Sequence, residues 1–298
     1  MPALAQKIVA VALLMLATAA AAALWSRSSL IAFLVFFAIL AFHGVFLAFQ
    51  FTVLAIGGRN TEANRPSARQ LVWAWAVETV VSARVFLWQQ AFRSHAVPDE
   101  VGARPGARGL VFVHGFLCNR GLWNNWMAIA HDRSIPFIAV NLEPTLGSID
   151  EYSAILDRAV REITRATGAG PLLVCHSMGG LVARAWMRNG EREHKIHHVV
   201  TIASPHSGTT LGHSGPRLST VINGEQMRVG SPWLRALAKT ETAQRTGRFT
   251  CFYSNCDNIV IPASAGRLPG ADNRIVLGVP HLAMVFNERV IRETLALL

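Results

Sequence analysis

The chain of 298 residues has little lysine, fewer acidic than basic residues, and no cysteine pairing of the kind that holds zinc. Lysine occurs only at Lys7, Lys195 and Lys239, so the formal charge of +10 is carried almost entirely by arginine. No basic run is interleaved with aromatic residues. That removes the usual footprint of nucleic-acid recognition, and no nucleic-acid partner is expected. The four cysteines, Cys118, Cys175, Cys251 and Cys256, form no C-x-x-C pair. Cys251 and Cys256 are close enough in sequence either to bridge across a turn or to remain free thiols. No aspartate pair lies in a loop suited to calcium, so no metal is expected, and there is no internal repeat. Positive charge without a nucleic-acid signature leaves two readings: solvated arginines, or attraction to an anionic lipid surface.

What is abundant is apolar, at 51% of residues. Two runs open the chain. Ile8–Trp25 spans 18 residues with Thr18 as its only polar member, and Leu30–Ile56 spans 27 residues with His43, Gln50 and Thr52 as mild exceptions. About 20 apolar residues cross a bilayer, so both runs qualify. Only Ser26-Arg27-Ser28-Ser29 separates them, and residues 1–57 read as a transmembrane hairpin. The rival reading makes the first run a signal peptide, with Lys7 as its basic start and Ala19–Ala23 as its cleavage zone. His43 is expected to be packed or lipid-facing rather than a ligand. Lys7 precedes the hairpin and Arg59, Arg65 and Arg69 follow it, against Arg27 alone in the turn. This places both ends, and the domain beyond, in the cytoplasm. Cys251 and Cys256 would then stay reduced.

Residues 58–109 read as a linker and an amphipathic helix. Over Leu71–Phe92, at about 100° per residue, Glu78, Ser82, Gln89 and Arg93 share one face. Trp73, Val77, Val80, Leu87 and Trp88 share the other. Such a helix either lies in the membrane interface or packs on the domain that follows. From residue 110 short buried strands alternate with helices: Leu110–Val113, Phe137–Asn141, Pro171–Cys175, Val199–Ala203, Phe249–Ser254 and Arg274–Leu277. The pattern predicts the α/β class, a mostly parallel sheet with helices on both faces, in one domain over 110–298. Residues 209–248 form a long insertion with Leu211, Val221, Ile222, Trp233, Leu234 and Leu237 as its apolar content. It reads as a lid over an acyl pocket or as an ordinary helical excursion.

Three segments carry chemistry. In Leu172-Leu-Val-Cys-His-Ser-Met-Gly-Gly180 a buried strand runs into a serine and then a glycine-rich helix start. A sharp turn there exposes the Ser177 hydroxyl at the carboxyl edge of the sheet, with the helix dipole behind it. His176 and Gly179 flank it. The usual pattern is G-x-S-x-G, and Cys175 replaces its first glycine. In Val111-Phe-Val-His114-Gly115-Phe116 a strand ends in His-Gly-aromatic. The backbone N–H of Phe116, with that of Met178, is placed to receive an oxyanion. A serine nucleophile needs a base, and the base an acid to fix its tautomer. Asp257 lies just past a strand. Asp272 competes, but it precedes its strand and falls at the wrong edge. His281 follows the last strand, whereas His206 and His213 do not follow the acid.

With these segments in the order Ser, Asp, His, residues 110–298 resemble the lipase and esterase branch of the α/β-hydrolase superfamily. Ala203-Ser-Pro-His206-Ser-Gly208-Thr is similar to the (T/S)-P-H-x-G-T segment after the sixth strand of many bacterial triacylglycerol lipases. The resemblance implies an α/β-hydrolase fold and hydrolysis of carboxylic, lipid or acyl, esters without a cofactor. It implies Ser177, Asp257 and His281 as the catalytic residues, Phe116 and Met178 as the oxyanion hole, and His114, Gly115, His176 and Gly179 in support. It also suggests a bacterial inner membrane. Residues 1–93 fall outside the lipase pattern. An acyltransferase or thioesterase acting on lipid-linked acyl groups, or a non-catalytic membrane scaffold, would share the same fold.

Overall fold

The computed structural model describes residues 2–57, 64–102, 105–188, 190, 192–210 and 221–298. Three apolar helices come first: α1 (Pro2–Trp25), α2 (Ser29–Leu40) and α3 (His43–Gly57). The Ser28 hydroxyl caps α2 by accepting from the Ile31 N–H. The second apolar run is not one straight helix. It breaks at Ala41–Phe42, and α2 and α3 are bent by 54°. His43, at the break, is packed: one ring nitrogen lies 3.2 Å from the Leu40 carbonyl and the other 2.9 Å from the Thr79 carbonyl. α4 (Ala68–Ser82) opens with a reciprocal Ser67/Gln70 capping box and runs on, through a π-helical stretch Ala83–Gln89, into α5 (Gln90–Phe92). By length and composition, Ala3–Trp25 and Ala68–Phe92 each suffice to cross a bilayer, as does the bent pair α2 and α3 if taken as one span.

The helix over 71–92 uses its two faces in the order opposite to a water-soluble helix. Glu78 and Gln89 of its polar face are buried against the domain that follows. Trp73, Val80 and Trp88 of its apolar face are exposed at 68%, 69% and 57%. Exposed aromatic and branched side chains in this number suit lipid rather than water. Arg93 departs from its face and is exposed.

The domain is built on β1 (Leu110–Val113), β2 (Phe137–Ala139), β3 (Leu172–His176), β4 (His198–Ile202), β5 (Phe249–Tyr253) and β6 (Asp272–Ile275). They form a wholly parallel sheet in the order β2-β1-β3-β4-β5-β6. Alternate side chains go to opposite faces. Val111, Val113, Leu173, Cys175, Val199 and Cys251 pack with α7 (Tyr152–Thr167) and α8 (Met178–Arg188). Leu110, Phe112, Leu172, Val174, Val200 and Phe252 pack with α6 (Asn124–Asp132), Val85 of the π-helical stretch, and α12 (Glu288–Leu295). The burial of both faces explains why the strands read as continuous apolar runs.

Residues 211–220 of the expected insertion, with Leu211 and His213, lie outside the described residues, as does Arg59. The remainder holds α9 (Ile222–Gln226), α10 (Pro232–Ala238) and α11 (Ala243–Thr246). Leu234 and Leu237 are buried, the Gln226 Oε1 accepts from Ile149 N–H at 2.8 Å, and Trp233 donates to Asp150 at 2.9 Å. This part is packed on the domain. All four cysteines are buried thiols. Cys251 and Cys256 sit in different apolar clusters, the latter with Phe51, Leu54 and Ala74 of α3 and α4.

Candidate active site

In an open parallel sheet the crevice for a ligand forms where the strand order reverses, beyond the carboxyl ends. Here that point lies between β1 and β3, since the chain passes from β1 outward to β2 and returns to β3. His114-Gly115-Phe116 follows β1, and Ser177 follows β3. Ser177 has φ +52°, a left-handed conformation that strains a residue with a Cβ. The strain is held by the Ser177 N–H donating to the Ile202 carbonyl at 2.9 Å and by α8 starting at the next residue. The turn leaves Ser177 7% exposed, and its Oγ lies 3.1 Å from Nε2 of His281.

The glycines explain how the pieces come so close. A Cβ on Gly179 would stand 2.5 Å from the Val113 carbonyl oxygen, and one on Gly115 would stand 2.8 Å from the Ser177 Cβ. α8 therefore rests directly on the end of β1, and the 114–116 loop rests on Ser177. His114 braces that loop. Its Nδ1 lies 2.8 Å from the Gly115 carbonyl, and its Nε2 accepts the Leu142 N–H at 3.0 Å. This pairing requires a neutral ring, and burial pushes its pKa down to about 4. Among the described residues, neither the Phe116 nor the Met178 N–H donates to a protein acceptor. Met178 follows Ser177 directly, and Phe116 follows the Gly115 that rests on Ser177.

His281 comes from the loop after β6. Its Nδ1 lies 3.0 Å from both carboxylate oxygens of Asp257. Asp257 Oδ1 in turn accepts the N–H groups of Ile259 and Val260, both at 2.8 Å. Burial works against an imidazolium here, but the charge and hydrogen bond of Asp257, helped by the charge of Glu78, outweigh it and raise the pKa. The His176 ring lies 4.8 Å from the His281 ring, tilted by 54°, and is kept neutral by burial. Asp272 begins β6 and so lies at the opposite, amino edge of the sheet, paired with Arg274 at 2.6 Å. His206 is buried against Thr201 and Cys251, at 3.0 and 3.5 Å.

Residues 110–255 match the family model described as the alpha/beta hydrolase family. The domain has the α/β-hydrolase fold. The matched stretch holds Phe116, Ser177 and Met178 and stops before Asp257 and His281. Among solved structures, the hydrolase domain resembles mature lipase BlEst2 of Bacillus licheniformis, with TM-score 0.57 at 18% identity over 65% of this chain and 92% of that one. It also resembles lipase B of Aspergillus fumigatus, with TM-score 0.52 at 15% identity over 62% of this chain and 51% of that one. At these identities the likeness is one of fold.

Several polar residues around the hydrolase site come from the helices before the domain, and the sequence reading missed them as site residues. Gln6 of α1 donates to Gln90 at 2.9 Å and to the Leu117 carbonyl at 3.1 Å, next to the 114–116 loop. Asn119 donates to Gln6 at 3.1 Å and to the Gln90 carbonyl at 3.0 Å. Gln50 of α3 accepts from Asn258 at 2.7 Å. Glu78 of α4 accepts from Leu282 and Ala283. The available signal was compositional: an amide or a carboxylate inside an apolar helix is costly unless it meets a partner.

Proposed function

We propose that this hydrolase domain cleaves carboxylic esters of lipids or other acyl groups through an acyl-enzyme on Ser177. The observation that carries the reading is the hydrogen-bonded series at the switch point: Ser177 Oγ to His281 Nε2 at 3.1 Å, and His281 Nδ1 to Asp257 at 3.0 Å. Asp257 holds the proton on Nδ1, which leaves Nε2 free to accept the Ser177 proton as Oγ attacks the ester carbonyl. The N–H groups of Phe116 and Met178 receive the oxyanion. The imidazolium then gives its proton to the departing alcohol. Water attacks the acyl-enzyme with His281 again as base, which returns the proton to Ser177 and releases the acid. His114, Gly115 and Gly179 hold the loop and helix that bear the two N–H donors, and His176 packs beside the base.

The α1–α4 segment anchors this enzyme in a membrane, with Gln6 and the domain on the same side. The Gln6–Leu117 hydrogen bond supports that placement, and it favours retention of α1 over its removal as a signal peptide. The arginine excess after α3 supports the cytoplasmic side, where an anionic surface would meet the chain's net charge of +10.

Labelling with a fluorophosphonate, together with hydrolysis of a panel of p-nitrophenyl esters of graded chain length, tests the chemistry. The unmodified chain should label and turn over, and Ser177→Ala should do neither while keeping its fold. Labelling that survives in Ser177→Ala removes Ser177 from the reaction. Protease treatment of intact spheroplasts tests the side: digestion of the domain without lysis overturns the cytoplasmic placement.

A further inference from the structure

Before Asp99 the chain has two acidic residues, Glu62 and Glu78. Glu78 sits in the middle of α4 and is 3% exposed. Its two carboxylate oxygens accept two consecutive backbone N–H groups: Oε1 that of Leu282 at 2.8 Å, and Oε2 that of Ala283 at 3.1 Å. These are the peptide groups directly after His281, where the chain enters the short turn Ala283–Phe286. A buried carboxylate is tolerated only where its oxygens are matched, and two N–H groups side by side match both. Fixing these two peptide planes fixes the direction in which the His281 side chain leaves the backbone. On the other side, the His281 N–H meets Asn258 Oδ1 at 3.4 Å, and Asn258 is itself bonded to Gln50 of α3.

We propose that Glu78 is a positioning residue for His281, holding the imidazole on the line between Asp257 and Ser177 through the Leu282 and Ala283 N–H groups. The membrane-associated helix α4 is then part of the frame of the active site as well as an anchor. The inference rests on His281 being the base in the reaction proposed above. Among the described residues, the His281 ring meets Asp257, Ser177 and the neutral ring of His176, and Glu78 acts on it through charge alone. The charge of Glu78 also adds to that of Asp257 in favouring the imidazolium.

The test uses the full chain in detergent, with active sites counted by fluorophosphonate titration. Glu78→Gln keeps one acceptor oxygen, sets an N–H₂ against the second backbone donor, and removes the charge. Turnover per titrated site should fall ~10- to 100-fold, because a small misplacement of a catalytic group costs that much. KM for a short-chain ester should change less than about twofold, because Glu78 does not touch substrate. Over the pH range in which Glu78 is ionised the substitution removes a negative charge near the imidazolium, so the acid limb of the pH profile should move to lower pH. Glu78→Asp restores the charge on a shorter stem, so its acid limb should return to that of the unmodified chain while its turnover stays reduced. A Glu78→Gln variant with normal turnover per titrated site and an unmoved acid limb overturns the proposal, even if it melts earlier, because Glu78 would then only stabilise the fold. If Glu78→Gln does not fold, Glu78→Asp decides: undiminished turnover per site overturns the proposal. An unmodified chain that neither labels nor turns over fails differently, by overturning the esterase reading itself.

Discussion

Asp257→Asn probes the proposed reaction where the structure dictates the outcome. Oδ1 of Asp257 accepts the N–H groups of Ile259 and Val260, both at 2.8 Å. An asparagine must keep its carbonyl oxygen on those two donors, since the reverse orientation would set an N–H₂ against two N–H groups. Its Nδ2 then takes the place of Oδ2, which lies 3.0 Å from His281 Nδ1. The oxygen left at the Oδ1 place is also 3.0 Å from Nδ1 but is already shared by two N–H groups, so the new N–H donor turns Nδ1 toward accepting and the ring proton toward Nε2, which lies 3.1 Å from Ser177 Oγ. Nε2 can then no longer take the hydroxyl proton. The wrong tautomer lowers kcat by about four orders of magnitude, about 5.5 kcal/mol of barrier. KM should hardly change, because Asp257 is buried beneath His281. The assay is p-nitrophenyl butyrate hydrolysis by the full chain in detergent, normalised to folded protein by circular dichroism. Asp272→Asn serves as control. Its carboxylate is half exposed and paired with Arg274, and a pair of that kind contributes ~0–1 kcal/mol to stability and nothing to the site. If Asp257→Asn keeps more than about a tenth of the activity, or Asp272→Asn loses as much, the tautomer argument is refuted.

The pH profile follows from His281. Its pKa is raised above 6.5, and it works as a base only when neutral, so kcat/KM should rise through an acid limb above 6.5; a limb below 6.5 contradicts the geometry. The buried neutral rings make stability, too, rise with pH, over a lower window. His114 is lowered to about 4, and His176 and His206 lie well below 6.5, so the unfolded chain binds protons there that the folded chain refuses. Their stabilising effect is present above 6.5 and declines as pH falls toward about 4, whereas His281 contributes in the other sense. Thermal unfolding midpoints that stay level over that window oppose the three-ring account. Gly179→Ala puts a Cβ 2.5 Å from the Val113 carbonyl. It should destabilise by ~1–3 kcal/mol and, by lifting the Met178 N–H, reduce turnover of the molecules that remain folded. Unchanged turnover per folded molecule would separate that N–H from the oxyanion site.

The strands and their order could be read from the sequence because each is short, apolar on both faces and closed by a turn signal. All six observed strands fall on or within a residue or two of the segments so identified. The Ser177 turn and the His114-Gly115-Phe116 segment were legible for a related reason. Their geometry is set by the backbone, and glycines beside a strand end announce a close approach. The direction of the strands alone puts Asp257 at the carboxyl edge of the sheet and Asp272 at the amino edge. Other features could not be read locally. The periodicity of residues 71–92 separates a polar face from an apolar one, but not which face meets the domain. The domain's own N–H groups at Leu282 and Ala283 decide that, by taking up Glu78. The second apolar run carries no proline and no charged residue to mark a break, and its bend at Ala41–Phe42 is accompanied by His43 meeting the Thr79 carbonyl on another helix. Gln6, Gln50 and Glu78 look in sequence like blemishes in membrane helices. Their partners lie some hundred to two hundred residues away, and hydrogen bonds between such distant groups exist only once the chain has folded them together.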